Sequence, residues 1–222
     1  MFFRLFLQDR TTTMSETIID ISPLISEKIA VFPGDVPYKR NMTMDFKEGH
    51  HLGLSSISGT LHLGAHTDAP NHYHKDGKGM HERDLALYYG DCQVIEVSIP
   101  RSERIKPEHL SEKEIKAPRV LFKTNSFPDP NTWNLDFNSL SPELIEVLVS
   151  NGVKLVGIDT PSVDPATDKE LSSHLTIYKH NLAILEGIVL THVEEGHYKL
   201  IALPLPLKDA DASPVRAVLV KE

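Results

Sequence analysis

The sequence predicts a single mixed α/β domain: one sheet of mixed character with few helices. Runs rich in Val, Ile and Leu, bounded by Gly, Pro, Asn or Asp, recur along the whole chain, and this is how strands read. Only two stretches carry helical spacing, too few for a doubly wound fold with a helix after every strand. No repeat, low-complexity tract or composition shift divides the 222 residues, a length that suits one domain with a substantial core.

The strands are expected over 18–21, 54–57, 94–99, 120–123, 154–158, 199–203 and 217–220. The clearest helix is 142–150: Ser141 suits the N-cap, Pro142 the first helical position, and Gly152 lies just past the end. Its Leu144, Ile145, Leu148 and Val149 fall on one face. A second helix is expected over 171–180, with Leu171, His174, Leu175 and Tyr178 along one stripe. Proline-rich turns such as Phe32-Pro33-Gly34-Asp35 and Phe127-Pro128-Asp129-Pro130 read as loops.

Composition excludes several functions. The formal net charge of -8 disfavours a phosphate-backbone binder, which needs Lys and Arg to neutralise phosphates, and equally an anionic membrane surface. With Cys92 as the one cysteine, neither an intrachain disulfide nor a cysteine-built zinc site is possible; Cys92 reads as a small buried residue. The apolar start Met1-Phe2-Phe3-Arg4-Leu5-Phe6-Leu7 is too short to span a bilayer or to act as a signal peptide, and Met14 opens a more typical polar start. Residues 1–14 are therefore expected to be a flexible extension and 15–222 the domain, in a cytoplasmic protein.

The chemistry concentrates in His62-Leu63-Gly64-Ala65-His66-Thr67-Asp68-Ala69-Pro70-Asn71-His72. The spacings between His62, His66, Asp68 and His72 are all even, which in an extended chain puts every side chain on one face; a helix would splay Asp68 from His66 by about 200°. Imidazole and carboxylate are the usual ligands of catalytic Zn²⁺ or Mn²⁺. Glu186 sits inside the apolar run 182–190, where a buried carboxylate needs a cation or a proton. Asp159, at a strand end, reads as structural. His174 is taken as equally able to face solvent or the interior, His74 as a loop residue, and His50 and His51 as peripheral. No Gly-x-Ser-x-Gly elbow or Gly-rich phosphate loop is present, which disfavours serine-hydrolase, dinucleotide and ATP chemistry.

The segment from His62 to His72 resembles the His-x-Gly-x-His-x-Asp-x-Pro-x-His signature of the metal-dependent cyclase-like hydrolases. Within them, Asp20-Ile-Ser-Pro-Leu, Phe32-Pro-Gly-Asp35, Gly157-Ile-Asp-Thr-Pro-Ser-Val-Asp164, Ala183-Ile-Leu-Glu186 and Ala210-Asp-Ala-Ser-Pro-Val-Arg-Ala217 are similar to the bacterial kynurenine formamidases. The resemblance implies a swivelling β/β/α fold, a homodimer and two zinc ions per subunit, with Mn²⁺ an alternative. It implies that His62, His66 and Asp68 hold one ion, that Asp68 bridges to a second held also by His174, and that Glu186 touches both. It further implies that His72 is the general acid/base and that Phe32 contacts substrate, where the family typically carries Trp. The implied reaction is hydrolysis of N-formyl-L-kynurenine to L-kynurenine and formate. The alternatives are a related opening of a cyclic amide such as isatin, or a metal-binding protein without catalysis.

Overall fold

The computed structural model describes residues 16–111 and 113–221, so the expected extension over 1–14 lies outside the described residues. Along the chain come β1 (Thr17–Asp20), β2 (Lys39–Met44), β3 (Leu54–Ser58), β4 (His66–Asp68), β5 (Tyr89–Glu96), β6 (Arg104–Ile105), β7 (Arg119–Lys123) and β8 (Ser139–Leu140). Then follow α1 (Pro142–Ser150), β9 (Leu155–Ile158), α2 (Ser172–His180), β10 (Ala183–Leu185), β11 (Gly196–Ile201), β12 (Ala212–Pro214) and β13 (Val218–Lys221). Every strand expected from the sequence is present, displaced at its ends by a few residues at most except β5, which starts five residues early at Tyr89. The short strands β6, β8 and β12 and the polar strand β2 carry no apolar run to announce them, and β10 lies in the apolar run 182–190, which the sequence reading does not assign to a strand.

Seven strands form one sheet in the order β1-β13-β11-β5-β7-β9-β10. From β1 to β5 neighbours run antiparallel, and from β5 to β10 parallel. Strands β7, β9 and β10 are buried throughout, as parallel strands covered on both faces must be. Helix α1 provides the crossover from β7 to β9 and α2 that from β9 to β10. Alternation then sorts the side chains. Ile95, Val120, Phe122, Val156 and Ile184 join Leu144, Ile145, Leu148 and Ile177 of the helices. Val94, Leu121, Leu155, Leu185 and Leu200 join Ala65, Ile188 and Val215 on the opposite face, next to the small β4–β12 sheet. The result is the three-layer β/β/α stack.

Helix α1 occupies the expected span, with Ser141 Oγ accepting from the Leu144 amide at 3.2 Å. Helix α2 starts at Ser172, behind Leu171 in the left-handed region (φ 51°). Its first turn is capped from outside by Asp164, which accepts from the amides of Ser173 (3.1 Å) and His174 (3.0 Å). That cap turns Ser173, His174 and Ile177 inward and leaves Leu175 exposed, so the stripe expected through Leu175 is corrected. No helix among the described residues is long and apolar enough to cross a membrane.

Leu148 of α1 is fully buried against the sheet. Leu148→Ala is expected to lower unfolding free energy by about 2–5 kcal/mol while leaving the denaturant slope unchanged, as read by urea titration.

Candidate metal centre and active site

The site forms where β4 meets the chain leaving β10. His66 and Glu186 make an isolated antiparallel bridge, His66 N donating to Glu186 O at 3.1 Å and Glu186 N to His66 O at 2.9 Å. This close crossing depends on glycine. Gly187 has φ +65°, and a Cβ there would stand 2.1 Å from the carbonyl oxygen of Gly64. Gly64 is itself left-handed, at φ +58°.

That backbone corrects the reading of His62 to His72 as one extended face. Only residues 66–68 are strand, which places His66 and Asp68 side by side. His62 is brought round by the left-handed turn at Gly64, and His72 by the 3-10 turn Pro70–His72. The side chains converge all the same. Asp68 Oδ1 lies 3.5 Å from His62 Nε2 and 3.5 Å from His66 Nε2. Asp68 Oδ2 lies 3.4 Å from His174 Nε2. Glu186 closes the group, Oε2 at 3.2 Å from His66 Nε2 and Oε1 at 3.8 Å from His174 Nε2. The His72 ring sits 4.2 Å from that of His62, centroid to centroid, and 6.2 Å from that of His174. His66, Asp68, His174 and Glu186 are buried, His62 is half-buried and His72 is exposed. Two sets of side chains could each hold one cation, His62–Asp68–His72 and His66–Asp68–Glu186, with Asp68 common to both.

The imidazoles are held in fixed tautomers. His66 Nδ1 donates to Gly64 O at 2.9 Å, and His174 Nδ1 donates to Asp164 Oδ2 at 2.7 Å. Both acceptors can only accept, so each ring turns its Nε2 toward Asp68 and Glu186. Asp164 is fixed in turn by Arg104, whose Nη1 donates to Oδ1 at 2.7 Å. Glu186 Oε1 accepts from Val163 N at 2.7 Å. Even so, His62 Nε2, His66 Nε2 and both Asp68 oxygens are buried without a hydrogen-bond partner among the described residues. Four orphaned N and O atoms in one buried spot are costly, and cations held by the two sets would satisfy them.

The electrostatics lead to the same place. Burial disfavours protonation of His66, yet the adjoining Glu186 and Asp68 carboxylates outweigh it and raise its pKa to about 9. Burial acts likewise on His174, and Asp164 and Asp68 raise it to about 10. His62 is lowered to about 4, chiefly by burial. Asp68, despite burial, is held well below the carboxylate range by the imidazoles of His174, His62 and His66. Glu186 is pushed up by burial and by Asp68. The carboxylates thus draw positive charge onto the rings, in the place a metal ion would take.

The cluster opens into a cavity of about 420 Å³, lined by His62, His66, His72, His174 and Glu186 on one side and by Phe32, Phe127, Trp133 and Pro165 on the other. Phe32 is 44% exposed and lines this cavity, so all seven expected site residues border the centre or its cavity. Asp159 is buried and accepts from the amides of Thr124 and Asn125 and from Thr124 Oγ1, which fits the structural reading. His74, expected only as a loop residue, stacks on Tyr178 at 3.9 Å. His51 is exposed, and His50 bonds locally to Asp45. Sequence reasoning missed Asp164, Arg104, Asp211 and Trp133. Asp211 Oδ2 lies 3.9 Å from His62 Nδ1 and 3.8 Å from His72 Nδ1. Asp164 and Asp211 stand inside stretches singled out for resemblance, the one signal that could have flagged them.

The family model described as "Putative cyclase" matches residues 19–165. The chain belongs to the cyclase family. This cyclase-family chain is 45% identical over 201 residues to the kynurenine formamidase of Bordetella avium, covering 90% of the chain and 96% of that relative. Its fold is shared with a solved structure titled as a potential metal-dependent hydrolase with cyclase activity, at TM-score 0.81 and 25% identity, covering 94% of this chain and 99% of that one. It is also shared with isatin hydrolase A from Labrenzia aggregata, at TM-score 0.80 and 21% identity, covering 92% and 93% of the two chains. The cyclase-family centre built by this chain is a metal site in its donor set and its orphaned atoms.

Without an ion, His66 and His174 carry protons at neutral pH, because their pKa values stand at about 9 and about 10, whereas His62, at about 4, has none to lose. A divalent ion must displace those protons. Metal uptake by the stripped protein at pH 7 is therefore expected to release protons, and affinity to fall as pH drops and to rise toward pH 9. Calorimetry in buffers of different protonation enthalpy measures this, and a heat independent of the buffer would contradict it.

Proposed function

We propose that this chain hydrolyses N-formyl-L-kynurenine to L-kynurenine and formate. The observation that carries the reading is the group of orphaned buried atoms, His62 Nε2, His66 Nε2 and the two Asp68 oxygens, beside an aromatic-walled cavity, in a chain 45% identical to a kynurenine formamidase. His62, His66 and Asp68 would hold one zinc ion, Asp68 and His174 a second, and Glu186 would touch both, a division that differs from the two three-residue sets above by leaving the exposed His72 free for proton transfer; Mn²⁺ could serve on the same N/O donors. The division of Asp68, Oδ1 toward His62 and His66 and Oδ2 toward His174, supports its bridging role. When bound, such ions supply Lewis-acid charge and bring the pKa of water toward neutrality.

The remaining work falls to the chain's own groups. Asp164 and the Gly64 carbonyl keep His174 and His66 aimed inward. His72, the exposed member of the cluster on the cavity wall, carries a proton to the departing aryl amine nitrogen as general acid/base. Asp211 Oδ2, 3.8 Å from its Nδ1, can orient the ring. Phe32 contacts the aryl group. The fold shared with isatin hydrolase A supports ring opening of a cyclic amide as a second reading, and the higher identity to the formamidase favours the first. We also propose a homodimer. The β2–β3 ribbon is exposed almost throughout, Leu54 and Ile57 included, and a two-stranded hairpin is marginal by itself.

Metal-stripped protein is expected to be inactive, and zinc to restore turnover of N-formyl-L-kynurenine in preference to isatin. His72→Ala is expected to cut turnover about 10²–10⁴-fold with metal content unchanged. Full activity in that variant would remove His72 from its role, and faster isatin opening would favour the second reading. Light scattering is expected to give twice the chain mass, and a monomer would refute the dimer.

A further inference from the structure

Trp133 is the chain's only tryptophan, and it lines the same cavity as His62, His72 and Phe32. Its Nε1 is shut off from solvent and has no acceptor among the described residues. A buried indole N–H ordinarily finds a partner. The rings around it are Phe32 at 5.1 Å, Phe127 at 5.9 Å and Phe137 at 6.1 Å, all steeply inclined to it. None of these has a lone pair to offer, and Phe32 adds no donor of its own.

The loop carrying Trp133 is held firmly. At its base Asp159 takes the amides of Thr124 and Asn125, and Ser126 Oγ accepts from Asn138 N at 2.8 Å. Within it Asp129 accepts from Asn131 N and Thr132 Oγ1. Ala30 N donates to Pro130 O at 2.9 Å, tying it to the segment that bears Phe32. The Phe32–Trp133 edge pair is therefore a preorganised wall, facing the imidazoles and carboxylates across the cavity.

We infer that Trp133 is a specificity-determining residue: the substrate's aryl ring packs on the Phe32–Trp133 pair, and in doing so shifts the exposed Phe32 ring and uncovers the indole N–H, closed to water in the free protein, which takes an acceptor oxygen of the ring substituent, a ketone or a carboxylate. This rests on the formamide reading. It selects aryl formamides that carry such a substituent over bare formanilide, since a site that leaves a buried donor unpaired penalises the ligand lacking the acceptor.

The test uses zinc-loaded full-length protein. Trp133→Phe keeps ring area and removes the N–H. The ratio of kcat/KM for N-formyl-L-kynurenine to that for formanilide is expected to fall about tenfold, mostly through KM. A ratio unchanged within twofold would overturn the inference. Because Trp133 is the sole indole, the emission of the unmutated protein provides an independent readout. Titration with L-kynurenine, corrected for absorbance, is expected to change that emission saturably at the concentration that inhibits turnover. Unaltered emission at saturation would overturn the role of Trp133. If neither formamide is turned over by the unmutated protein while its emission still responds to the aryl amine, the formamide reading fails and the aryl wall stands.

Discussion

Asp68 and Glu186 lie in the dry interior of this molecule, each 2% exposed, around one imidazole, His66. Two carboxylates so placed cannot both stay ionised without positive charge between them. The surrounding side chains supply it in part, His66 and His174 turning their Nε2 atoms inward. Even so, His62 Nε2, His66 Nε2 and both Asp68 oxygens have no hydrogen-bond partner among the described residues. Much of the neighbouring structure can be understood as holding this arrangement of acids and imidazoles together.

The scaffold does so by bringing distant backbone into contact. Glu186 follows the parallel edge strand β10 and Asp159 follows β9, both at the carboxyl ends of strands, where open α/β sheets commonly expose functional groups. The βαβ crossover through α2 delivers His174 to the same end, and Asp164 both caps that helix and orients its histidine. One carboxylate thus couples a helix terminus to a ring tautomer. On the other side β4 reaches Glu186 only because Gly64 and Gly187 let two backbones touch. Stability and site geometry rest on the same few contacts.

Across the cavity the chain changes character. Two loops that are polar and proline-rich in sequence present aromatic rings to the metal centre, and backbone hydrogen bonds fix them without regular secondary structure. One wall is charged and built to organise a reaction. The other is apolar and built to admit a flat ring. A cavity with a few convergent polar groups and mostly apolar walls is the usual form of a small-molecule site.

By itself the sequence determined the main strands, helix α1 and its caps, and the chemical identity of the centre. Those features are local: apolar runs, Ser141-Pro142 before a helical stripe, and a dense cluster of imidazole and carboxylate between His62 and His72. Glu186 was legible because a lone acid in an apolar run signals a burial cost. Tertiary structure alone decided the rest. Even spacing is a one-dimensional signal, and the actual convergence of His62 and His72 runs through turns at Gly64 and Pro70. The burial of His174 depends on Asp164, ten residues earlier, and the approach of Trp133 to Phe32 joins positions about a hundred residues apart. Side-chain chemistry can be read along a chain, but contacts between remote segments are set by packing and hydrogen bonding that no local pattern encodes.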